Sequence, residues 1–261
     1  MKIQILVSTL NDGVKKIRFD SNFDYLVVHQ ISNGAEKIYS DYINSLSKTN
    51  KTAITYIQSN TIGLTISRNL CLLNASKDAE YFWIMDDDVQ LQSDAYDRLC
   101  KLLNGNKGFD SYIVRHSDLK DVKILGDSYR HGFISSAKVA SIDIVISNKI
   151  VQSGITFDEN FGLGAIYPSG EEYIFMTDIL KGSYKILQTN LVLTYHPPIA
   201  SGLDFFSTPL KLVAKKMMFK RIFGVFWGNI FYLLFLFKKL PTFFQKSNRK
   251  YLVNIIKSFN Y

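Results

Sequence analysis

The first 90 residues alternate between short apolar runs, typical of buried strands, and segments whose apolar residues recur at helical spacing. Runs rich in aliphatic or aromatic residues lie at residues 2–8, 24–31, 53–58 and 81–85. Helical spacing lies between them, at residues 35–46 and 63–75. Because parallel strands are joined by crossovers that are usually helical, this order predicts an α/β fold with a mostly parallel central sheet flanked by helices.

The second half of the chain is less regular but adds elements of the same kind. Strand patterns lie at residues 141–147 and 184–195. Between them, the glycine-containing segment 157–164 precedes a helix that is predicted to begin at Gly170 and to end at Gly182.

Charge divides the chain near residues 201–204, where acidic residues cease. Residues 205–261 hold 11 of the 31 Lys and Arg residues, 15 of the 36 aromatic residues and no Asp or Glu. The remaining part of the chain carries a net charge of −3. We therefore predict a body of residues 1–204 and a basic, aromatic, helical tail of residues 205–261, with an anionic surface as the partner of the tail alone.

The tail contains an uncharged block at residues 222–237, flanked by Lys and Arg. A spanning helix needs about 20 apolar residues, so the block is short, whereas Trp227, Tyr232 and the basic flanks suit the surface of an anionic membrane. We expect monotopic attachment to a membrane; a helical subdomain packed on the body and a true span are the alternatives. Nucleic acid is disfavoured as a partner because the charges flank a hydrophobic block.

Cysteine usage and the first residues bear on the compartment. Cys71 and Cys100 are too few for a disulfide framework or a cysteine zinc site, which favours a reducing environment. The apolar run within residues 1–10 is too short for a secretion signal. We expect a cytoplasmic protein, attached peripherally to the inner face of the cell membrane.

Three consecutive carboxylates, Asp86, Asp87 and Asp88, follow the fourth predicted strand. Side chains alternate along an extended chain, so Asp86 and Asp88 point to one side and Asp87 to the other. Ligands of open α/β sheets bind beyond the carboxyl ends of the strands, and a hard divalent cation that also holds a diphosphate fits paired carboxylates there. The alternative is a polar turn that caps the helix starting near Asp94.

Three further positions have both a structural and a functional interpretation. Arg68 lies in an apolar helix, where a buried guanidinium needs a carboxylate or a phosphate partner. Glu171 and Glu172 begin a helix, where the helix dipole stabilises acids; a general base for an acceptor hydroxyl is the functional interpretation. His196 follows a long apolar strand. Its structural interpretation is a core or surface residue with its hydrogen bonds satisfied, and its functional interpretation is a metal ligand.

In order along the chain, these pieces resemble the family 2 glycosyltransferases of the GT-A fold over roughly residues 2–200. The resemblance is carried by Ser8-Thr9-Leu10-Asn11, Gly63 with Ser67-Arg68-Asn69, the three aspartates, Asp158 with Phe161-Gly162, Gly170-Glu171-Glu172 and the late His196. It implies a catalytic domain over residues 1–204 that binds a nucleotide-diphosphate sugar with Mn²⁺ or Mg²⁺ and transfers the sugar with inversion.

The resemblance also implies residue roles. Asp88 corresponds to the direct metal ligand, Asp86 faces the ribose or the metal's waters, and His196 completes the metal site. Glu172 corresponds to the catalytic base, with Glu171 as the fallback. Thr9 and Asn11 lie where the family's first loop lines the nucleotide, and Arg68 where its helix approaches it.

One position departs from the family. Its members commonly end the second strand with an acid that holds the uracil N3–H, whereas this chain has Gln30 near that point and no acid. Because the Gln amide also offers an acceptor, Gln30 can bind N3–H and preserve a preference for UDP-sugars.

The function implied by the resemblance is transfer of a hexose or N-acetylhexosamine to a hydroxyl of a lipid-linked or surface polysaccharide acceptor. Two alternatives are kept. A sugar-nucleotidyltransferase shares the sheet and the acids, but residues 11–16 form a poor version of its phosphate loop. A non-catalytic adaptor at the membrane surface would keep the fold without turnover. The sequence gives no oligomeric state.

Overall fold

The computed structural model describes residues 1–50, 52–196, 204–245 and 247–259, with side chains left out at residues 47–50. Of the boundary expected at residues 201–204, residues 201–203 lie outside the described residues.

In this part of the chain nine strands form one sheet, in the order β3-β2-β1-β4-β8-β6-β9-β5, with β7 paired to β9. The strands are β1 Ile3–Leu10, β2 Asp24–Gln30, β3 Ile54–Ser59, β4 Tyr81–Asp86, β5 Gln90–Leu91, β6 Ser111–Ser117, β7 Tyr129–Arg130, β8 Ile144–Ser147 and β9 Ile186–Tyr195. The helices are α1 Glu36–Asn50, α2 Leu64–Leu73, α3 Ala95–Gly105, α4 Asn148–Gln152, α5 Glu171–Lys181, α6 Pro209–Phe244 and α7 Leu252–Phe259.

The two halves of the sheet differ in strand direction. Strands β1 to β4 are all parallel, as the alternating pattern predicts. Beyond β4 the sheet is mixed, because β8 runs antiparallel to both β4 and β6. The predicted α/β architecture with helices around a central sheet is confirmed; the parallel arrangement is strict only in the first half. Strand β6 was not predicted, since its sequence Ser111–Ser117 mixes apolar and polar residues.

The central strands are buried on both faces. Side chains of neighbouring residues point to opposite faces, so Leu6 joins one hydrophobic cluster and Val7 the other. Phe82 and Trp83 of β4 divide in the same way, and both are fully buried. A strand covered on both sides needs a continuous apolar run, which explains the sequence patterns of β1, β2 and β4.

Helix α6 is a hairpin of two helical arms, residues 209–223 and 225–244. Gly224, with φ 79° and ψ 171°, breaks the helical geometry between the arms. A Cβ on Gly228 would lie 2.5 Å from the Cα of Lys220, an approach that a straight helix excludes for residues eight positions apart. The rings of Phe219 and Phe235 are 5.9 Å apart, so the second arm runs back along the first.

The first arm packs on the body, and α7 packs on the hairpin. Met218 and Ile222 of the first arm form a hydrophobic cluster with Phe161 and Ile174. By length and composition Pro209–Phe244 is the one helix among the described residues that could cross a membrane, with a mean hydropathy of 1.3 in its most apolar window. The break at Gly224 divides it into arms of roughly 22 and 30 Å.

Candidate active site

Strand β4 delivers the three aspartates to the carboxyl edge of the parallel strands, and their surroundings differ. Asp87 turns back into the protein, where it accepts a hydrogen bond of 2.6 Å from the Thr9 hydroxyl. Gly13 lies against this pair; a Cβ there would be 2.0 Å from Oδ2 of Asp87. Burial raises the pKa of the Asp87 carboxyl, partly offset by the Thr9 hydrogen bond. Asp87 therefore supports the loop, while Asp86 and Asp88 keep 35% and 47% of their side-chain surface exposed.

His196 lies next to Asp88 because of a short pair of strands. The antiparallel pairing of β5 with β9 sets Gln90 opposite Tyr195, so the residues just outside this pair meet. Nε2 of His196 is 3.1 Å from Oδ1 of Asp88, with side-chain exposures of 12% and 47%. Two residues that are 108 positions apart thus present an imidazole nitrogen and a carboxylate oxygen at one place.

Arg68, in the middle of α2, connects the aspartates to the acidic pair of α5. Its side chain is only 2% exposed. One terminal nitrogen, Nη2, donates to Oδ1 of Asp86 at 3.0 Å and to the Ser141 hydroxyl at 2.7 Å. The other, Nη1, lies 3.6 Å from Glu171 and 4.0 Å from Glu172. Burial alone would lower the pKa of Arg68, but the three carboxylates outweigh it and raise the pKa.

The acidic pair is positioned by the glycines of the preceding loop. Gly170, with φ 111°, ends the loop and starts α5 at Glu171. Gly162, with φ 107°, lets the loop lie against α2: a Cβ there would be 3.0 Å from Thr65 and 3.3 Å from Glu171. These are conformations and approaches that a side chain would obstruct. The loop therefore delivers both acids to Arg68.

The two acids differ in burial. The Glu171 side chain is 7% exposed and that of Glu172 is 26% exposed. Burial, together with the neighbouring charge of Glu172, raises the pKa of Glu171 to about 7. Glu172 is therefore the more accessible of the two acids.

Several buried polar atoms around Arg68 have no hydrogen-bond partner within the described residues. They are the Thr65 hydroxyl, Nε and Nη1 of Arg68, and Oε2 of Glu171. Buried polar groups are nearly always satisfied, and exceptions concentrate where a ligand or catalytic function accounts for them. This cluster marks the edge between α2 and α5 as the place where polar ligand groups are expected.

The first loop and Gln30 complete the other side of the site. Asn11 is bound to Ser32, donating to its hydroxyl and accepting from its backbone N–H, both at 2.9 Å. Gln30 is 4% exposed and donates through Nε2 to the Thr61 hydroxyl and to the Gly63 carbonyl. Both donors of its amide are engaged, so Oε1 is left as the acceptor.

The donor set fits a divalent cation only in part. Within the described residues no three His, Cys, Asp or Glu side chains are close enough to form a complete metal site. Asp88 and His196 are together, whereas Asp86 is held by Arg68. Mg²⁺ in particular is commonly bound by one or two protein carboxylates, with water and substrate phosphates as further ligands. The pair of Asp88 and His196, with Asp86 two residues away at the end of β4, suits that mode.

Two residues at this site were missed by the sequence analysis. Ser141 gives Arg68 a hydrogen-bond partner from a segment 73 positions away. Lys215, from the first arm of the hairpin, lies near both glutamates; burial lowers the pKa of its ammonium group, although Glu172 and Glu171 act in the opposite direction. Neither residue belongs to a motif, and only the packing of distant segments brings them here.

No protein-family model matches the sequence, and no curated protein is similar to it in sequence. Solved structures are similar in fold. The S. aureus TarS 1–349 structure in complex with UDP-GlcNAc superposes with a TM-score of 0.59 at 14% identity, over 85% of this chain and 66% of that one. The chain thus spans just under two thirds of the TarS 1–349 chain in that comparison.

A second similar structure is the mannosyltransferase PcManGT from Pyrobaculum calidifontis in complex with GDP-Man and Mn²⁺. Its TM-score is 0.58 at 11% identity, over 99% of this chain and 87% of that one. At such identities the likeness concerns the fold. Together with the sheet order and the position of the aspartates at its carboxyl edge, it shows that the chain has the GT-A fold of glycosyltransferases.

Proposed function

We propose that this protein transfers a hexose or N-acetylhexosamine from a nucleoside diphosphate sugar to an acceptor hydroxyl, with inversion of the anomeric centre. The observation that carries the proposal is Arg68, whose buried guanidinium contacts both Asp86 and the Glu171–Glu172 pair. The sequence suggests the donor site around the aspartates and the acidic pair as two separate features. The buried guanidinium of Arg68 connects them in the fold. The related folds were solved with UDP-GlcNAc and with GDP-Man and Mn²⁺, which supports a donor of this chemical class.

On the donor side, Asp88, His196 and Asp86 would hold Mn²⁺ or Mg²⁺ beside the diphosphate. A cation bound there stabilises the negative charge that the leaving nucleoside diphosphate gains when the glycosidic bond breaks. The protein's own contribution is positional. The hydrogen bond from Thr9 holds Asp87 in place, and Asp87 in turn supports the loop that carries Asp88. The pairing of β5 with β9 holds His196 beside Asp88.

On the acceptor side, Glu172 is the base that removes the proton from the attacking hydroxyl. It is the more accessible of the two acids, and an attacking hydroxyl must reach the base directly. Glu171 is buried beneath it and is the fallback for this role. Single displacement needs no protein nucleophile, which agrees with a site built from acids and one buried cation.

The donor base is uracil in this proposal. Gln30 lies at the carboxyl end of β2 with its amide donors committed, so its Oε1 can accept the N3–H of uracil. Cytosine has no N–H at that position, so the same geometry disfavours it. We further propose that the acceptor is lipid-linked or belongs to a surface polysaccharide, and that the enzyme works on the cytoplasmic face of the membrane; the basic, apolar tail supports both parts.

The test is turnover of nucleotide sugars by the purified full-length protein with Mn²⁺, across a panel of UDP- and GDP-sugars. We expect Asp88→Ala and Glu172→Gln each to lower kcat by about 100-fold or more, as loss of a charge-stabilising group or a general base does. Asp97→Ala, at an exposed acid on α3, is the matched control and should retain the wild-type rate.

NMR of the product of the first turnovers would report its anomeric configuration and so the stereochemistry. UDP binding without consumption of any donor would favour the adaptor alternative and contradict the proposal. Consumption of a sugar 1-phosphate with a nucleoside triphosphate would favour the nucleotidyltransferase alternative instead.

A further inference from the structure

Helix α7 buries two polar residues and exposes three large apolar ones, although Leu252 and Ile255 pack inward on the hairpin. Asn254 and Ser258 are 7% and 0% exposed, whereas Val253, Ile256 and Phe259 are 47%, 69% and 49% exposed. A helix packed on a protein in water normally shows the reverse arrangement. The orientation of α7 therefore requires a specific cause.

Hydrogen bonds fix that orientation. Nδ2 of Asn254 donates to the carbonyls of Phe206 and Ser207 at 3.0 and 3.1 Å. The hydroxyls of Ser258 and Tyr232 are 2.7 Å apart. Nζ of Lys216 donates to the Ser258 carbonyl at 3.2 Å. Rolling α7 to bury Val253, Ile256 and Phe259 would break all of these bonds, so their exposure is built into the fold.

The second arm of the hairpin presents a similar face. Its buried side carries Tyr232, Leu236 and Phe243, which pack on the first arm and on α7. Its outer side is also apolar, with large side chains that are 53–73% exposed: Phe226, Leu233, Leu234, Phe237 and Phe244. These positions recur at helical spacing and so form one stripe. At the turn, Val225 and Trp227 are 69% and 58% exposed.

The charged residues beside the exposed apolar faces of α7 and the second arm are basic and form no salt bridges within the described residues. Lys238, Arg249, Lys250 and Lys257 are exposed. Within the described residues, none of the four is in a salt bridge, in contrast to Arg221, which binds Asp158 and Asp178 of the body. Since residues 205–261 contain no Asp or Glu, the outer surface of the tail is apolar and cationic.

We propose that the outer faces of α7 and of the second arm form a docking surface for an anionic phospholipid membrane, on which the enzyme lies without crossing it. Exposed apolar stripes with Trp and basic flanks are the chemistry that inserts to headgroup depth and attracts anionic lipid. A crossing is excluded for the first arm, because Met218 and Ile222 are buried against the body. The surface goes beyond the proposed catalytic function and does not depend on it.

The first experiment is co-sedimentation of the full-length protein with vesicles of phosphatidylcholine, alone or mixed with phosphatidylglycerol. We expect binding to the mixed vesicles and weaker binding to the neutral ones. Ile256→Asp and Phe237→Asp change exposed side chains, so the fold is retained, and each should lower the partition coefficient about tenfold or more. Ile38→Asp, at a residue of α1 that is 64% exposed, is the matched control and should bind as the wild type.

The basic residues are tested separately. Lys250→Gln combined with Lys257→Gln should lower binding to the anionic vesicles by about tenfold and leave binding to neutral vesicles unchanged. Turnover of a soluble donor should persist in Ile256→Asp, which separates this proposal from the catalytic one.

Two results would overturn the proposal. One is a wild-type protein that stays in the supernatant with both kinds of vesicle. The other is a wild type that sediments as a dimer in analytical ultracentrifugation and shows no vesicle binding, with Phe237→Asp monomeric; the apolar faces would then pair two copies of the chain.

Discussion

The body and the tail of this protein bury their side chains according to different rules. In the body, apolar residues fill two clusters on the faces of the sheet, and the buried cation Arg68 is surrounded by carboxylates. In the tail, apolar residues lie both inside and outside, while Asn254, Ser258 and Lys216 are buried. The body follows the pattern expected for water as the surrounding solvent. The tail follows the pattern expected where part of its surface faces an apolar phase.

The contrast extends to electrostatics. The body carries an excess of acids and concentrates three carboxylates around one guanidinium. The first arm of the tail supplies Lys215 to the acid pair and Arg221 to Asp158 and Asp178 of the body, while the other end of the tail keeps its cations on its own surface. These cations of the first arm therefore pair with acids of the body, whereas the exposed cations of the second arm and α7 are screened by solvent and suit a diffuse partner.

The largest expected effect comes from removing the buried cation of the body. Arg68→Met leaves Glu171 and Asp86 without their shared partner, and we expect the free energy of unfolding to fall by about 3–5 kcal/mol. Urea denaturation followed by circular dichroism measures it, with the exposed Arg18→Met as the control.

The double variant Arg68→Met/Glu171→Gln sharpens this test. If Arg68→Met is destabilising because it leaves the buried carboxylates without a cationic partner, neutralising Glu171 should restore part of the free energy of unfolding. A single variant that loses less than about 1 kcal/mol would show that the body does not depend on this ion cluster.

An intermediate effect is expected from pH. Because the pKa of Glu171 is raised to about 7, the folded protein holds a proton there that the unfolded chain releases above its ordinary pKa of 4.5. Unfolding therefore releases a proton in this window, and stability falls as pH rises from about 4.5 to 7, by about 1–3 kcal/mol.

Unfolding curves at pH 5 and pH 8 measure this difference. In Glu171→Gln the contribution should disappear, while in Glu36→Gln, at an exposed residue of α1, it should be unchanged. A wild type whose stability rises between these two pH values, with the same slope in Glu171→Gln, would contradict the assignment.

The smallest effect is expected on the outer face of the tail. Phe237 is 73% exposed, so Phe237→Ala should change the free energy of unfolding by less than about 0.5 kcal/mol in the absence of lipid. Phe243 lies on the same helical arm but is fully buried, and Phe243→Ala should cost about 3–5 kcal/mol. Equal losses for the two variants, measured by urea denaturation, would remove the distinction between the inner and outer faces.

Much of the first half of the fold was predictable because its signals are local. Strands such as β1 and β4 are continuous apolar runs, and their parallel order follows from the helices between them. The three aspartates were assigned to the sheet edge for the same reason. The pairing of β5 with β9 was not predictable, because β5 has only two residues, and it is this pairing that brings His196 to Asp88.

The tail shows the limit of such signals. Its composition predicted a basic, apolar helical segment, but nothing local in residues 222–237 marked the reversal at Gly224. The reversal depends on Gly228, which packs on the backbone of Lys220, and on contacts between aromatic rings of the two arms. Both are contacts between residues that are close in sequence but meet only once the arms have folded together.

By itself, the amino-acid sequence determined the alternating strands and helices, the acids at the end of β4 and the charge division of the chain. These properties depend on hydrophobic periodicity and composition, which act over a few residues. Only the tertiary structure decided that Arg68 joins the aspartates to the glutamates, that the tail folds back as a hairpin, and that α7 leaves Val253, Ile256 and Phe259 exposed. Each of these depends on contacts whose free energy exists only after the sheet or the two arms have brought the contacting residues together.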